Sequence, residues 1–224
     1  MLSLVIVTVS VLQWRRNNQV RRWRKCLLLD KHQKAFTRLY APINAFELSQ
    51  QSRSERDAIE YIYGEANFES FIAVIALCHP NQDTVFYDLG SGVGKLVVAC
   101  AMVFNLKKSC GIERFTLLHQ CAIERQRQLA KEPAYHVQAP KIDFISGDFL
   151  AQSLGDATLI FINATAFFAE YWVSISRYIA AEVRSGTIVI STSKRLKSEA
   201  FLSLKDTQMA MSWGVVSAFI QQKK

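Results

Sequence analysis

The stretch Thr84 to Leu89, followed by glycines at 90, 92 and 94, limits the fold of this chain more than any other feature. TVFYDL is β-branched and aromatic, which predicts a strand carrying Asp88 near its end. After the glycine loop, Leu96 to Phe104 (LVVACAMVF) is apolar almost all round, which predicts a buried helix. Strand, carboxylate, glycine turn and helix, in that order, bring a ligand against backbone N–H groups. Gly90 permits a tight turn with positive φ, and Gly92 removes a side chain where a ligand must approach. The following helix points its positive end at that ligand, which suits a carboxylate or phosphate.

The alternation continues along the chain. Strands are expected at Ser109 to Glu113, Ile142 to Ile145, Leu159 to Ile162 and Thr187 to Ser191, with helices at Phe115 to Lys131 and Phe168 to Val183. Upstream, Phe68 to Leu77 predicts an apolar helix ended by His79-Pro80, with a turn at Asn81-Gln82-Asp83. Residues 31–40 and 53–62 predict polar-faced helices, and Gln208 to Gln221 predicts two short strands folded about Trp213-Gly214. The fold class is therefore α/β: a mostly parallel sheet covered on both faces, with an antiparallel end. A chain of 224 residues, half of them hydrophobic, suits one domain with a modest extension.

Charge is concentrated in one place. Between Arg15 and Lys34 stand eight basic residues against Asp30 alone, so this arm carries +7 of the net +8. Before it, Leu2 to Leu12 is an apolar run of eleven residues, short of the roughly 20 that span a membrane. The charges follow the run instead of preceding it, so it is not ordered like a signal peptide. Three readings stay open: a membrane anchor with Trp14 and Trp23 at the interface, a buried strand or helix, and a basic arm on nucleic-acid phosphates. The five cysteines form no CxxC pair and the four histidines no ligand spacing. That pattern favours a reducing compartment and predicts no metal site.

A nucleotide-triphosphate loop, G-x-x-x-x-G-K-[ST], ending at Gly94-Lys95 would need glycine at 89 and Ser or Thr at 96, where Leu89 and Leu96 stand. The third glycine comes one residue too early for the dinucleotide G-x-G-x-x-G. What remains is the D-x-G-x-G-x-G pattern of enzymes that use S-adenosylmethionine (SAM), with Asp88, Gly90, Ser91, Gly92 and Gly94 as ligands. Glu113, at the end of the second strand, suits the two ribose hydroxyls. Asp148-Phe149, after the third, suits the adenine ring. The expected organisation is an apolar then basic segment over 1–30, a helical lobe over 31–80, and a SAM-dependent methyltransferase domain over 81–224.

Residues 62–168 and the Ser212-Trp213-Gly214 tail resemble the disruptor-of-telomeric-silencing family of histone-lysine methyltransferases. The resemblance rests on Tyr63-Gly64-Glu65 with Phe68-Glu69, the DLGSGVG loop, Glu113, Gly147-Asp148-Phe149, and Phe161-Ile162-Asn163 with Phe167. It implies a class I, Rossmann-like, seven-stranded sheet with a helical N-terminal extension. It also implies that Tyr63, Gly64 and Glu65 cover the methionine end of SAM, joined by Lys95. Four positions depart from the family pattern. Ala164 replaces the second of two adjacent asparagines, Ala218 and Phe219 stand where an aromatic pair lines the lysine channel, and Lys95 stands for a glutamine.

Methyl transfer is an in-line displacement that needs alignment, a dry site and a neutral nucleophile. An apolar channel lowers a lysine's pKa. Phe167, Phe168, Trp213 and Phe219 are candidates for its walls, and Asn163 for orienting the amine or the cofactor's amino-acid end. The leading expectation is a protein-lysine methyltransferase acting on a histone-like protein, nuclear in that case. The alternatives are a cytoplasmic enzyme tethered by residues 2–12 that modifies a membrane protein, an RNA or small-molecule methyltransferase, and a non-catalytic adaptor.

Overall fold

The computed structural model describes residues 17–53 and 64–224. The apolar run at 2–12, Trp14, Arg15, Arg16, Tyr63 and all but the first residue of the helix expected over 53–62 lie outside the described residues. Helices α1 (17–26), α2 (Leu29–Tyr40), α3 (Ala45–Arg53) and α4 (Phe68–Ala76) precede the sheet. Then come β1 (Val85–Leu89), α5 (Lys95–Val103), β2 (Lys108–Glu113), α6 (Thr116–Ala130), β3 (Ile142–Ser146) and β4 (Leu159–Ile162). The chain finishes with α7 (Ala169–Glu182), β5 (Ile188–Thr192), β6 (Phe201–Met211) and β7 (Gly214–Lys223).

The seven strands lie in the order β3-β2-β1-β4-β5-β7-β6. All pairs from β3 through β5 are parallel, and β7 joins antiparallel to both β5 and β6. Strand order reverses between β1 and β4, which opens a crevice at the carboxyl ends of those strands. The described part of the N-terminal basic arm is helical. Arg24 of α1 pairs with Glu69 of α4 and with Asp30 of α2, tying three helices together.

Side-chain alternation on β1 divides the core. Phe86 faces a cluster with Phe71, Ile75, Phe161 and Ile190, which Leu29 of α2 also enters. Val85, Tyr87 and Leu89 face the other way, onto Trp172, Ile175 and Ile179 of α7. The helical lobe thus shares its core with the sheet.

Two expectations fell short. Helix α3 was not anticipated, because AFELSQQSR has a weak apolar pattern with few buried positions. The tail strands are 11 and 10 residues long rather than short, because β6 is an edge strand whose polar Ser203, Lys205 and Asp206 hide its period. Among the described residues no helix is long and apolar enough to cross a membrane.

Candidate functional site

The loop after β1 is held in shape by the end of β2. The N–H groups of Gly90 and Ser91 both donate to Ile112 O, at 2.9 and 3.0 Å. Gly92 N–H donates to Glu113 Oε2, and Phe115 N–H to Glu113 Oε1, each at 2.8 Å. Gly90 has φ +83° and Gly92 φ +55°, conformations that a side chain disfavours. A Cβ on Gly90 would meet nothing within 4 Å, so its glycine answers to backbone geometry and not to crowding.

Gly94 has a different job. A Cβ there would come within 2.5 Å of the Phe144 ring and 2.9 Å of Ala122, so Gly94 lets α5 pack on β3 and α6. It is not part of the cavity wall. Gly111, which the sequence did not single out, is needed beside the loop: its Cβ would sit 2.5 Å from Ser91 Oγ.

A cavity of about 430 Å³ opens over this loop, within the usual range for small-molecule sites. Along the strand ends, Asp148 follows β3, Glu113 ends β2, the glycine loop follows β1 and Asn163 follows β4. All four line the cavity, as do Asp88, Phe149 and Phe167. Asp88 is buried, and burial, then the nearby Glu113 charge, pushes its carboxyl well above the usual range. Burial also raises Glu113, opposed by the N–H groups of Phe115 and Gly92. Glu113 faces the cavity as an ionisable acceptor whose oxygens are oriented by backbone N–H groups, the arrangement suited to a diol. Asp148 Oδ1 accepts from Leu150 N–H at 3.0 Å, and Arg114 lies 3.9 Å from Oδ2.

The segment after Tyr63 closes one side. Lys95 Nζ, at the start of α5, donates to both Glu65 oxygens at 2.6 Å and lies 5.5 Å from the Tyr40 ring centre. Ser212 N–H donates to Glu65 O at 2.7 Å, so the β6–β7 turn holds the same segment. The Trp213 ring covers Gly64, where a Cβ would lie only 1.9 Å from it. A paired cation and anion at this end complement a zwitterion. Ser91 Oγ, buried and without a hydrogen-bond partner, is a further polar atom at the cavity wall.

Aromatic rings form the other side. Phe167 stacks on Trp172 at 6.3 Å and meets Phe149 and Tyr171 edge-on. Phe168 is 55% exposed and Trp213 47%, which makes them rim and not core. Phe219 is a correction to the expected channel. It lies outside the cavity wall, with the Arg195 guanidinium 4.5 Å over its ring, while its neighbour Ala218 is buried in the core. Tyr171 and Thr165 line the cavity without having been singled out, because a helix face and a loop threonine carry no motif. Among the described residues no three His, Cys, Asp or Glu side chains are grouped to hold a metal.

Sheet order and crevice define a Rossmann-like fold of the class I methyltransferase type, and solved structures agree. An RNA methyltransferase from Salinibacter ruber, in complex with S-adenosyl-L-homocysteine, covers 69% of this chain and 90% of its own, with TM-score 0.56 and 18% identity. A SAM-dependent methyltransferase from Thiobacillus denitrificans, in complex with the same ligand, covers 81% and 99%, with TM-score 0.56 and 11% identity. Residues 49–222 match the family described as histone methylation protein DOT1. The chain belongs to that family. A Caenorhabditis elegans histone-lysine N-methyltransferase, H3 lysine-79 specific, is 31% identical over 172 residues, which is 67% of this chain but 18% of that protein. A protein-lysine N-methyltransferase from Saccharolobus islandicus is 24% identical over 118 residues, 53% of this chain and 67% of that protein.

Proposed function

We propose that this chain is a SAM-dependent protein-lysine N-methyltransferase. The observation that carries the proposal is the single cavity that joins the glycine loop, the Asp88 and Glu113 carboxylates and the Lys95–Glu65 pair to an aromatic rim. The residues fit the cofactor's chemistry. Glu65 and Lys95 suit its ammonium and carboxylate, Glu113 its ribose hydroxyls, and Asp148 with Phe149 its adenine, across the loop at Gly90, Ser91 and Gly92. Tyr63 completes the upstream motif by resemblance. The bound cofactor supplies an activated methyl group on a sulfonium.

The protein's own share is alignment and desolvation. The rings of Phe167, Phe168, Tyr171 and Trp213 give an incoming lysine stem an apolar path, which favours its neutral form. The proton leaves at the wet rim, where Phe168 and Trp213 meet solvent. The histone and protein-lysine activities named for the relatives support a protein substrate.

Arg21, Arg22 and Lys25 on α1, with Lys31 and Lys34 on α2, stand exposed and give the enzyme a basic docking face for an anionic partner. Chromatin and an anionic membrane surface are the two candidates, and location follows from which one binds. The test of the cofactor reading is calorimetric binding of S-adenosylhomocysteine to the full chain and to Gly92→Arg. Binding by the parent and none by the variant is expected; equal binding by both would remove the loop from the site.

A further inference from the structure

Behind Asn163 lies a hydrogen-bond network that the proposed function does not use. Asn163 follows β4, and the register of Leu89 beside Ile162 sets it level with Gly90 at the point where strand order reverses. Its side-chain oxygen accepts from Thr192 Oγ1 at 2.6 Å, Thr165 Oγ1 at 2.9 Å and Thr165 N–H at 3.4 Å. Thr192 Oγ1 itself accepts Ala164 N–H at 3.1 Å, so its one proton is directed to Asn163. Backbone N–H groups can only donate, and the two in this network therefore fix its polarity. The Asn163 oxygen is fully engaged, and what the residue offers the cavity is its amide N–H donors.

The wall is braced from β5. Lys194 Nζ donates to Ala164 O at 2.8 Å and Thr165 O at 2.9 Å, and lies 5.0 Å from the Phe168 ring centre. Ser193 aims it there. Its φ of +62° lies in the left-handed region that non-glycine residues rarely adopt, and its N–H is held by Ser217 O at 2.7 Å. Thr192 is wholly buried.

We propose that Thr192 and Lys194 are positioning residues that present Asn163 to the cavity as a donor only, facing a carboxylate oxygen and not the target amine. A donor aimed at a neutral amine would occupy the lone pair that methyl transfer requires. On the cofactor reading, which this inference rests on, the receiving group is the carboxylate of the amino-acid end.

The test compares two probes on the full chain by calorimetry: S-adenosylhomocysteine, and 5′-methylthioadenosine, which lacks the amino-acid end. Thr192→Val should weaken the first about tenfold, the worth of roughly one hydrogen bond, and leave the second unchanged. Thr192→Ser should restore it, and Lys194→Met should weaken it selectively too. Equal losses on both probes, no loss on either, or no rescue by serine would overturn the proposal. A parent chain that binds neither probe would instead overturn the cofactor reading beneath it.

Discussion

Asp88 and Glu113 sit at the residue scale of the account, and both carry a cost. Each is buried with its carboxyl pKa raised. A raised folded-state pKa means that the stability contribution of the group is full below its unfolded value, near about 4, and is lost as pH rises through the folded value. Asp88→Asn should therefore raise the melting temperature of the free protein at neutral pH, with the gain shrinking as pH falls. The same change should weaken S-adenosylhomocysteine about tenfold or more if the carboxylate meets the ligand. Thermal melts across pH, paired with calorimetry, check both halves; an unchanged melt would remove the strain argument. Gly64→Ala makes a second residue-scale prediction. Its Cβ must displace the Trp213 ring, so ligand affinity should fall while the core stays folded, as measured by calorimetry and circular dichroism.

Most of these residues were legible in the sequence because they sit in motifs at strand ends. The packing role of Gly94 against Phe144 and Ala122 was not legible, because a positive-φ glycine in a ligand loop looks the same whether it faces a ligand or a neighbouring helix. Thr192 and Lys194 were invisible, since they act on Asn163 from 29 and 31 positions away in sequence.

At the scale of elements, α4 joins the N-terminal helices to the sheet. Phe71 is fully buried and meets Phe86 and Phe161 edge-on, with ring centres 6.1 and 5.4 Å apart. Phe71→Ala should cost roughly 3–5 kcal/mol in denaturant unfolding. A cost under about 1 kcal/mol would mean that α4 is not part of the common core. Asn67 caps this helix by accepting Ser70 N–H at 3.1 Å, and its own N–H donates to Ala210 O of β6 at 2.9 Å. The segment over the cavity thus depends on both the helix and the hairpin. Strands β1, β2, β4 and β5 were readable as short runs buried almost throughout, and the edge strand β3 from its apolar Ile142, Phe144 and Ile145. The full length of β6 was not, because an edge strand carries charge where a central one carries valine.

For the whole molecule, the cavity and the exposed basic face are separate features with separate readouts. Substituting Arg21, Arg22 and Lys25 together by alanine should leave S-adenosylhomocysteine affinity unchanged. It should weaken association with an anionic partner and flatten its salt dependence. Titrations at several salt concentrations, on nucleosomes and on anionic vesicles, would tell the two partners apart. The fold class was readable from strand and helix alternation and the function class from one loop. The partner was not, because a run of arginines suits any polyanion.

The central claim is methyl transfer to protein lysine. The direct measurement is transfer of radiolabelled methyl from SAM by the full chain to nucleosomes, free histones, a membrane fraction and bulk RNA, side by side. The account predicts label in protein, on lysine, abolished by Gly92→Arg. Label in RNA alone, or none anywhere despite S-adenosylhomocysteine binding, would contradict it.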